Sequence, residues 1–301
     1  MGAKSSVAIG LTALLSIAPA LAEEQAASCL PADLKLRVAF AEPKRVMEML
    51  GDLSRERGDA GKRALLRQRF LDAGCAAVEE QAARGSADSN LICRIPGSSD
   101  ASIAIGSSPA FDGWPAAALL PEIARAISAE PRGHSYAIAL LSRDEPTNPT
   151  GARAFAKAAP HAPRLFVHVG RMGSGQPMLG PDTDETQRCV VSSISAAVGG
   201  GSIESLASWG RQRFGKTCAG SDLFSAMTVR PGSPRRVNLC GNRTFEQFLD
   251  TDPFVRADVP IVGIYDFPGA KERALSDVDA YFAEYRVLAA YAVALDHVIP
   301  L

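Results

Sequence analysis

The chain has 301 residues, a formal net charge of −1, and 47% hydrophobic against 22% charged residues. This is the composition of an ordinary globular protein with enough apolar material for a sizeable core. Because there is no excess of basic residues, a nucleic-acid partner is not expected.

The first 22 residues have the order of a secretory signal peptide. Lys4 precedes an apolar run over residues 7–17, and Ala20-Leu21-Ala22 suits signal peptidase. An N-terminal membrane anchor is the alternative, but the run is shorter than the roughly 20 residues that a membrane span needs. We therefore expect cleavage near Ala22, a mature chain that starts at Glu23, no integral membrane segment after cleavage, and a periplasmic or secreted protein.

Short apolar runs alternate with amphipathic helical patterns along the rest of the chain. Runs of this length are typical of strands that are buried on both faces. The predicted strands span residues 76–78, 91–95, 102–105, 136–141, 165–169, 189–194, 224–229 and 261–264. The predicted helices span residues 61–73, 114–128 and 277–297. This alternation predicts one α/β domain over residues 23–301, with three layers: a mostly parallel mixed sheet of about eight strands and helices on both faces.

All six cysteines follow the predicted cleavage site. They are Cys29, Cys75, Cys93, Cys189, Cys218 and Cys240. An exported chain meets an oxidising compartment, and no spacing is Cys-x-x-Cys, so disulfides are favoured over a thiolate metal site. Six cysteines allow about 15 pairings, which the sequence leaves open, and some of the six could instead be buried free thiols.

Residues 210–217, GRQRFGKT, fit the phosphate-loop pattern G-x-x-x-x-G-K-[ST]. That loop requires a buried strand before it and a helix after it, whereas SIESLASW before Gly210 is typical of a helix and CAGSD after Thr217 of a turn. We therefore interpret the segment as a solvated basic loop, and we expect no nucleotide binding.

Five segments together resemble, in serial order, the two-zinc exopeptidases of the bacterial leucyl aminopeptidase type, metallopeptidase family twenty-eight. The segments are AGKRALLRQRFLDAGCAAVEEQAARGSADSNLICRIPG (60–97), SIAIGSSPAFDGWPAAALLPEIARAI (102–127), IALLSRDEPTNPTGARAFA (138–156), LFVHVGRMG (165–173) and FLDTDPFVRADVPIVGI (248–264). The resemblance implies a zinc-exopeptidase-like fold. It also implies two zinc ions held by two histidines, two aspartates and a glutamate, with an adjacent glutamate as general base.

Part of that ligand set has a counterpart in this sequence. The family's bridging aspartate falls on Asp112, which lies before Glu122 at the family's interval. The glutamate ligand falls on Glu145, and the general-base position holds the shorter Asp144. These three residues are therefore vestigial ligand and base positions.

The other ligand positions are lost. The first histidine falls on Ser107 or Ser108, the second aspartate on Val167, and the closing histidine in 267–277, which contains none. A catalytic zinc normally needs three protein ligands. His168 is a possible substitute, although strand alternation should turn it away from the face of Val167; a buried core histidine is the favoured reading. Phe111 and Trp114 flank Asp112 and, with Ser108 and Val167, are the predicted pocket residues.

These observations favour a non-catalytic binding or scaffold protein with no cofactor and a peptide or protein ligand. The alternative is an active metallo-exopeptidase, or a related metal-dependent hydrolase, with an altered one-metal zinc site. A third hypothesis, a serine hydrolase that uses Ser107 or Ser108, lacks both the Gly-x-Ser-x-Gly elbow and a placed histidine.

Overall fold

The computed structural model describes most of the chain after residue 33. The described residues are 12–16, 29–31, 34–109, 113–142, 149–158, 163–173, 177–180, 183–200, 203–205, 224–226, 237–239, 243–245, 250–266 and 277–301. The GRQRFGKT segment lies outside them.

Thirteen strands are described. In chain order they are β1 Thr12–Ser16, β2 Lys35–Ala39, β3 Val78–Ala82, β4 Ser89–Ile95, β5 Ser102–Ser107, β6 Ser135–Leu140, β7 Leu165–Val169, β8 Pro177–Leu179, β9 Glu204–Ser205, β10 Phe224–Ala226, β11 Val237–Leu239, β12 Arg243–Phe245 and β13 Ile261–Asp266. Eight of them form the central sheet, in the order β3-β4-β6-β5-β7-β13-β8-β9. The central strands β6, β5, β7 and β13 are parallel, and β4 and β8 run antiparallel beside them. The predicted mixed, mostly parallel sheet is confirmed.

Helices cover both faces of this sheet. They are α1 Pro43–Arg55, α2 Asp59–Asp72, α3 Trp114–Ser128, α4 Thr150–Ala158, α5 Glu185–Ala197, α6 Asp252–Val255 and α7 Val278–Val298. The larger core joins one face of the sheet to α1, α2, α3, α5 and α7, whereas the smaller core joins the other face to α4 and α6. Alternate residues of β7 separate accordingly, with Val167 in the larger core and Phe166 in the smaller. The three-layer prediction is confirmed.

Three of the predicted strands differ from the structure. The predicted strand 76–78 shares only its last residue with β3, which begins at Val78. Residues 189–194 belong to α5, not to a strand, because Asp184 caps this helix by accepting a hydrogen bond from the Gln187 backbone N–H at 2.7 Å, and Val190, Val191 and Ile194 then share its buried face. The predicted strand 224–229 is described only as β10, which pairs with β11 and β12 in a separate three-stranded sheet.

Two disulfides are described, Cys29–Cys189 and Cys75–Cys93. The first ties the chain near residue 29 to α5, and the second ties the end of α2 to β4. Cys218 and Cys240 lie outside the described residues. The predicted use of cysteine for disulfides is confirmed for these four residues, and it is compatible with an oxidising compartment.

The region before α1 forms a second small sheet. Thr12–Ser16 pairs antiparallel with Lys35–Ala39, with Ser16 opposite Lys35. Signal-peptide cleavage near Ala22 stays a prediction. None of the helices in the described ranges is long and apolar enough to cross a membrane.

Candidate functional site

The carboxyl ends of β5, β6, β7 and β13 lie at one edge of the sheet. Ser107 at the end of β5 pairs with Leu140 at the end of β6, and Val169 at the end of β7 pairs with Ile264 of β13. In open α/β sheets, ligands bind at this edge because the connecting loops converge there. This edge is therefore the candidate site.

Four buried polar residues meet at this edge, and we call them the Asp250 cluster: Ser108, Asp250, His168 and Tyr265. Ser108 Oγ donates a hydrogen bond to Asp250 Oδ2 at 2.5 Å. His168 Nε2 lies 3.5 Å from the same oxygen, and His168 Nδ1 lies 2.9 Å from the Tyr265 hydroxyl. All four residues are less than 9% exposed. The cluster is therefore a polar network inside the protein, shielded from solvent.

Three glycines provide the space for the Tyr265 ring. A Cβ atom added at Gly170, Gly180 or Gly263 would lie 2.1, 2.7 or 2.3 Å from a ring carbon of Tyr265. No side chain fits at those distances without a shift of the ring. The glycines therefore let Tyr265 lie flat against β7, β8 and its own strand, where its hydroxyl reaches His168.

Aromatic packing brings Asp250 to this edge. Phe254 in α6 stacks on Phe166 of β7 with ring centroids 3.7 Å apart, and it also contacts Phe155 of α4. Phe166 in turn stacks on His168, two residues along the same face of β7. Since Phe254 is fixed in the smaller core, the turn that precedes α6 places Asp250 beside His168 and Ser108.

The order of contacts in the cluster does not match a serine hydrolase. In such an enzyme the imidazole accepts the serine proton and a carboxylate orients the imidazole. Here Ser108 donates to Asp250 Oδ2, His168 Nε2 lies 3.5 Å from the same oxygen, and the other ring nitrogen of His168 lies at Tyr265. His168 Nε2 makes no hydrogen bond to the Ser108 hydroxyl, so the arrangement does not activate Ser108 as a nucleophile.

The structure describes four of the eight predicted site residues. Phe111, Asp112, Asp144 and Glu145 lie outside the described residues. The four described residues are Ser108, Trp114, Val167 and His168.

Val167 lies in the larger core, and His168 lies on the opposite face of β7, as strand alternation predicts. Ser108 is buried and bonded to Asp250. His168 is a buried residue of the smaller-core side, yet it shares Asp250 with Ser108, so it does not turn away from that predicted pocket residue. Trp114 begins α3, and Lys62 Nζ of α2 lies 4.9 Å from the centroid of its ring.

Sequence reasoning missed Asp250 and Tyr265. The segment that contains Asp250 was matched to the family, but no site role was assigned to its aspartates. In the structure both Asp250 and Asp252 are buried; Asp250 contacts Ser108 and His168, whereas Asp252 forms an ion pair with the half-exposed Arg256. A tyrosine two residues after Gly263 in a buried strand was the one available signal for Tyr265.

Asn90 fixes both ends of the segment that contains Asp144 and Glu145. The Ser142 backbone N–H donates to Asn90 Oδ1 at 2.7 Å, and Asn90 Nδ2 donates to the Gly151 carbonyl at 2.9 Å. The Gly151 N–H also donates to the Ser142 carbonyl. Asn90 is fully buried, and its amide donates a further bond to Gln81 at 2.6 Å. The attachment points of residues 143–148 are therefore held together at the candidate edge.

A second buried contact between an aspartate and a histidine lies away from this edge. The Asp296 carboxylate of α7 accepts hydrogen bonds from the backbone N–H groups of His134 and Gly133 and contacts the His134 ring. Burial raises the pKa of Asp296. The hydrogen bonds and the nearby Arg132 lower the pKa by more than burial raises it, so it lies below the ordinary value. This cluster joins α7 to the start of β6.

The described residues do not fit a zinc ion. No group of three or more His, Cys, Asp or Glu side chains within the described ranges is placed to hold a metal. Both ring nitrogens of His168 face protein groups, Tyr265 and Asp250, and Val167 offers no donor. His168 Nε2 makes no hydrogen bond, but a metal between it and Asp250 would have two protein ligands from the described residues, fewer than the three of a catalytic zinc.

The fold resembles that of zinc-dependent exopeptidases. A Bacteroides vulgatus protein, provisionally assigned as a Zn-dependent exopeptidase, matches with a TM-score of 0.57 and 13% identity over 85% of this chain and 97% of its own. The Legionella pneumophila LapA aminopeptidase matches with a TM-score of 0.57 and 11% identity over 86% and 73%. Fimbriiglobus ruber glutaminyl cyclase matches with a TM-score of 0.56 and 15% identity over 90% and 99%. No protein-family model and no curated protein matches the sequence. The zinc-exopeptidase-like fold that the sequence predicted is confirmed, and glutaminyl cyclases share it.

Proposed function

We propose that this chain is an exported, non-catalytic protein that uses a zinc-exopeptidase-like fold to bind a peptide or protein ligand. The observation that carries the proposal is the Asp250 cluster. His168 is next to Val167, the position of the lost aspartate; its Nδ1 faces the Tyr265 hydroxyl, and its Nε2 lies 3.5 Å from Asp250 in a buried network.

The chemistry of the remaining positions supports the same proposal. Asp112 and Glu145 would supply two carboxylates, and Ser108 and Val167 stand where the family has a histidine and an aspartate. Two carboxylates without an imidazole donor fall short of the three protein ligands of a catalytic zinc, so a bound water would not be acidified. Asp144, at the general-base position, would then have no metal-bound water to deprotonate.

Metal content and turnover together test this proposal. We expect the purified mature protein, after incubation with zinc and gel filtration, to carry far less than one zinc per chain. We also expect no turnover of aminoacyl chromophores, which report aminopeptidase activity, or of peptides that begin with glutamine, which report cyclase activity. An aminopeptidase of this fold, prepared identically, is the positive control.

The opposite result would establish the altered metallo-hydrolase. That result is about one zinc per chain, together with turnover, both of which are lost in Asp112→Ala and in His168→Ala. Zinc that persists in both variants would be bound elsewhere and would leave the non-catalytic proposal in place.

Export is part of the proposal, and the placement of Cys29 supports it. Cleavage near Ala22 would leave Cys29 in the mature chain, where its disulfide to Cys189 fixes the new N-terminal region to α5. The intact mass of the protein recovered from the periplasm or medium should correspond to a chain that starts at Glu23. Retention of Lys4 in that fraction would contradict export by cleavage.

A further inference from the structure

A groove lies between α2 and the hairpin of β3 and β4. Its volume is about 340 Å³, which is within the range of small-molecule sites. The groove is lined by Ala60, Arg63, Ala64, Arg67, Glu80, Ala87, Asp88, Ser89 and Leu91. None of these residues belongs to the Asp250 cluster or to the vestigial ligand positions, so the groove is a separate feature.

Arg63 is the unusual residue of this groove. Its side chain is 10% exposed, and its Nε lies 3.8 Å from Asp88 Oδ1. Nη1 and Nη2 are buried, and within the described part of the chain neither makes a hydrogen bond. Burial lowers the pKa of Arg63, against the opposing effect of Asp88, Glu80 and Asp59. A buried guanidinium with two unpaired nitrogens is unfavourable unless an acceptor completes it.

The walls of the groove indicate which acceptor fits. The two nitrogens of a guanidinium form a planar fork that matches the two oxygens of a carboxylate. Glu80 already pairs with Arg67 at 3.2 Å, and Asp88 lies beside Arg63. These two acidic groups disfavour a multiply charged anion such as phosphate. The alanines and Leu91 leave apolar wall for a short hydrocarbon group.

We propose that the groove between α2 and the β3–β4 hairpin binds a monocarboxylate of about dipeptide size, such as the carboxyl end of a peptide, and that the Arg63 guanidinium turns toward the groove to make a bidentate contact with it. The proposal does not depend on whether the candidate site at the carboxyl ends of the strands binds zinc, because the groove and that site share no residue. The groove would be a second binding site, separate from the positions that hold zinc in the exopeptidase family.

The probe is N-acetyl-alanyl-alanine with a free carboxylate, compared with its C-terminal amide by isothermal titration calorimetry. We expect the acid to bind at least tenfold more tightly than the amide, and Arg63→Gln to remove that difference. Arg69→Gln is the matched control, because Arg69 lies on the same helix, outside the groove, and pairs with Asp52. It should bind the acid as the native protein does.

A second measurement uses the native protein and tests the proposal even if Arg63→Gln does not fold. Hydrogen exchange of the native protein should slow at residues 60–67 and 87–91 with the acid and not with the amide. Equal affinity for acid and amide, an unchanged affinity in folded Arg63→Gln, or no protection of these residues would each overturn the proposal. Inorganic phosphate that binds as tightly as the acid would overturn its carboxylate selectivity and indicate a general anion site.

Discussion

Replacement of Asp250 by alanine tests whether the Asp250 cluster is a structural network. The substitution removes the acceptor of the Ser108 hydroxyl and the carboxylate beside His168 Nε2, and both groups stay buried. A buried polar group that loses its partner costs about 1–3 kcal/mol, and the substitution takes the acceptor from Ser108 and the neighbouring carboxylate from His168. Removal of a desolvated charge offsets part of this, so we expect the free energy of unfolding to fall by about 3 kcal/mol.

The assay is thermal unfolding followed by circular dichroism at pH 7. For a domain of this size, about 3 kcal/mol corresponds to a decrease in Tm of roughly 6–12 °C. Asp252→Ala is the matched control, two residues further along. Asp252 pairs with Arg256 at 2.8 Å, but that arginine is 52% exposed, so the pair should contribute below about 1 kcal/mol.

The comparison of the two variants decides the result. Equal decreases in Tm for Asp250→Ala and Asp252→Ala, or a decrease below about 2 °C for Asp250→Ala, would refute the reasoning that the cluster is a buried network. A stable Asp250→Ala protein that gains zinc binding would indicate instead that the carboxylate restrains His168 from acting as a ligand.

Three further predictions concern the framework around the site. Asn90→Ala should lower the free energy of unfolding by about 2–4 kcal/mol, because two buried backbone groups lose their partners. Limited proteolysis within residues 143–148 should also become faster. An unchanged rate of cleavage would contradict the positioning role of Asn90. Asp296→Asn should be less stable than the native protein in urea at pH 7. Because the folded-state pKa of Asp296 lies below its unfolded value, the carboxylate stabilises the fold above about pH 4, and the difference should disappear as pH falls through the folded pKa; a difference that persists at lower pH would argue against this linkage. The double variant Cys75→Ser, Cys93→Ser should lose about 3 kcal/mol, since the disulfide closes a loop over a sequence separation of 18 residues, and denaturant unfolding under non-reducing conditions would measure it; an unchanged midpoint would show that the bond is absent.

Much of the sheet could be predicted because its strands carry a local signal. The runs at 91–95, 102–105, 136–141, 165–169 and 261–264 all lie on strands of the central sheet. They are mostly apolar because both faces of the sheet are covered. The run at 189–194 has the same composition, but its capping aspartate and the helical spacing of its buried residues made it a helix.

The candidate site was only partly predictable because its members come from distant segments. Ser108 and His168 were identified by their positions relative to the exopeptidase family. Asp250 reaches Ser108 across 142 residues, and Tyr265 reaches His168 across 97. No periodicity encodes such contacts.

The sequence by itself determined the α/β class, the alternation of faces along β7 and the use of cysteines as disulfides, because each follows from side-chain period or from residue chemistry. The tertiary structure alone decided which cysteines pair, which aspartate of the 250–252 turn contacts Ser108, and that His168 faces Tyr265 and Asp250. Those outcomes depend on where the stacked rings of Phe166 and Phe254 and the three glycines beneath Tyr265 place the chain, which is a property of packing between segments and not of any one of them.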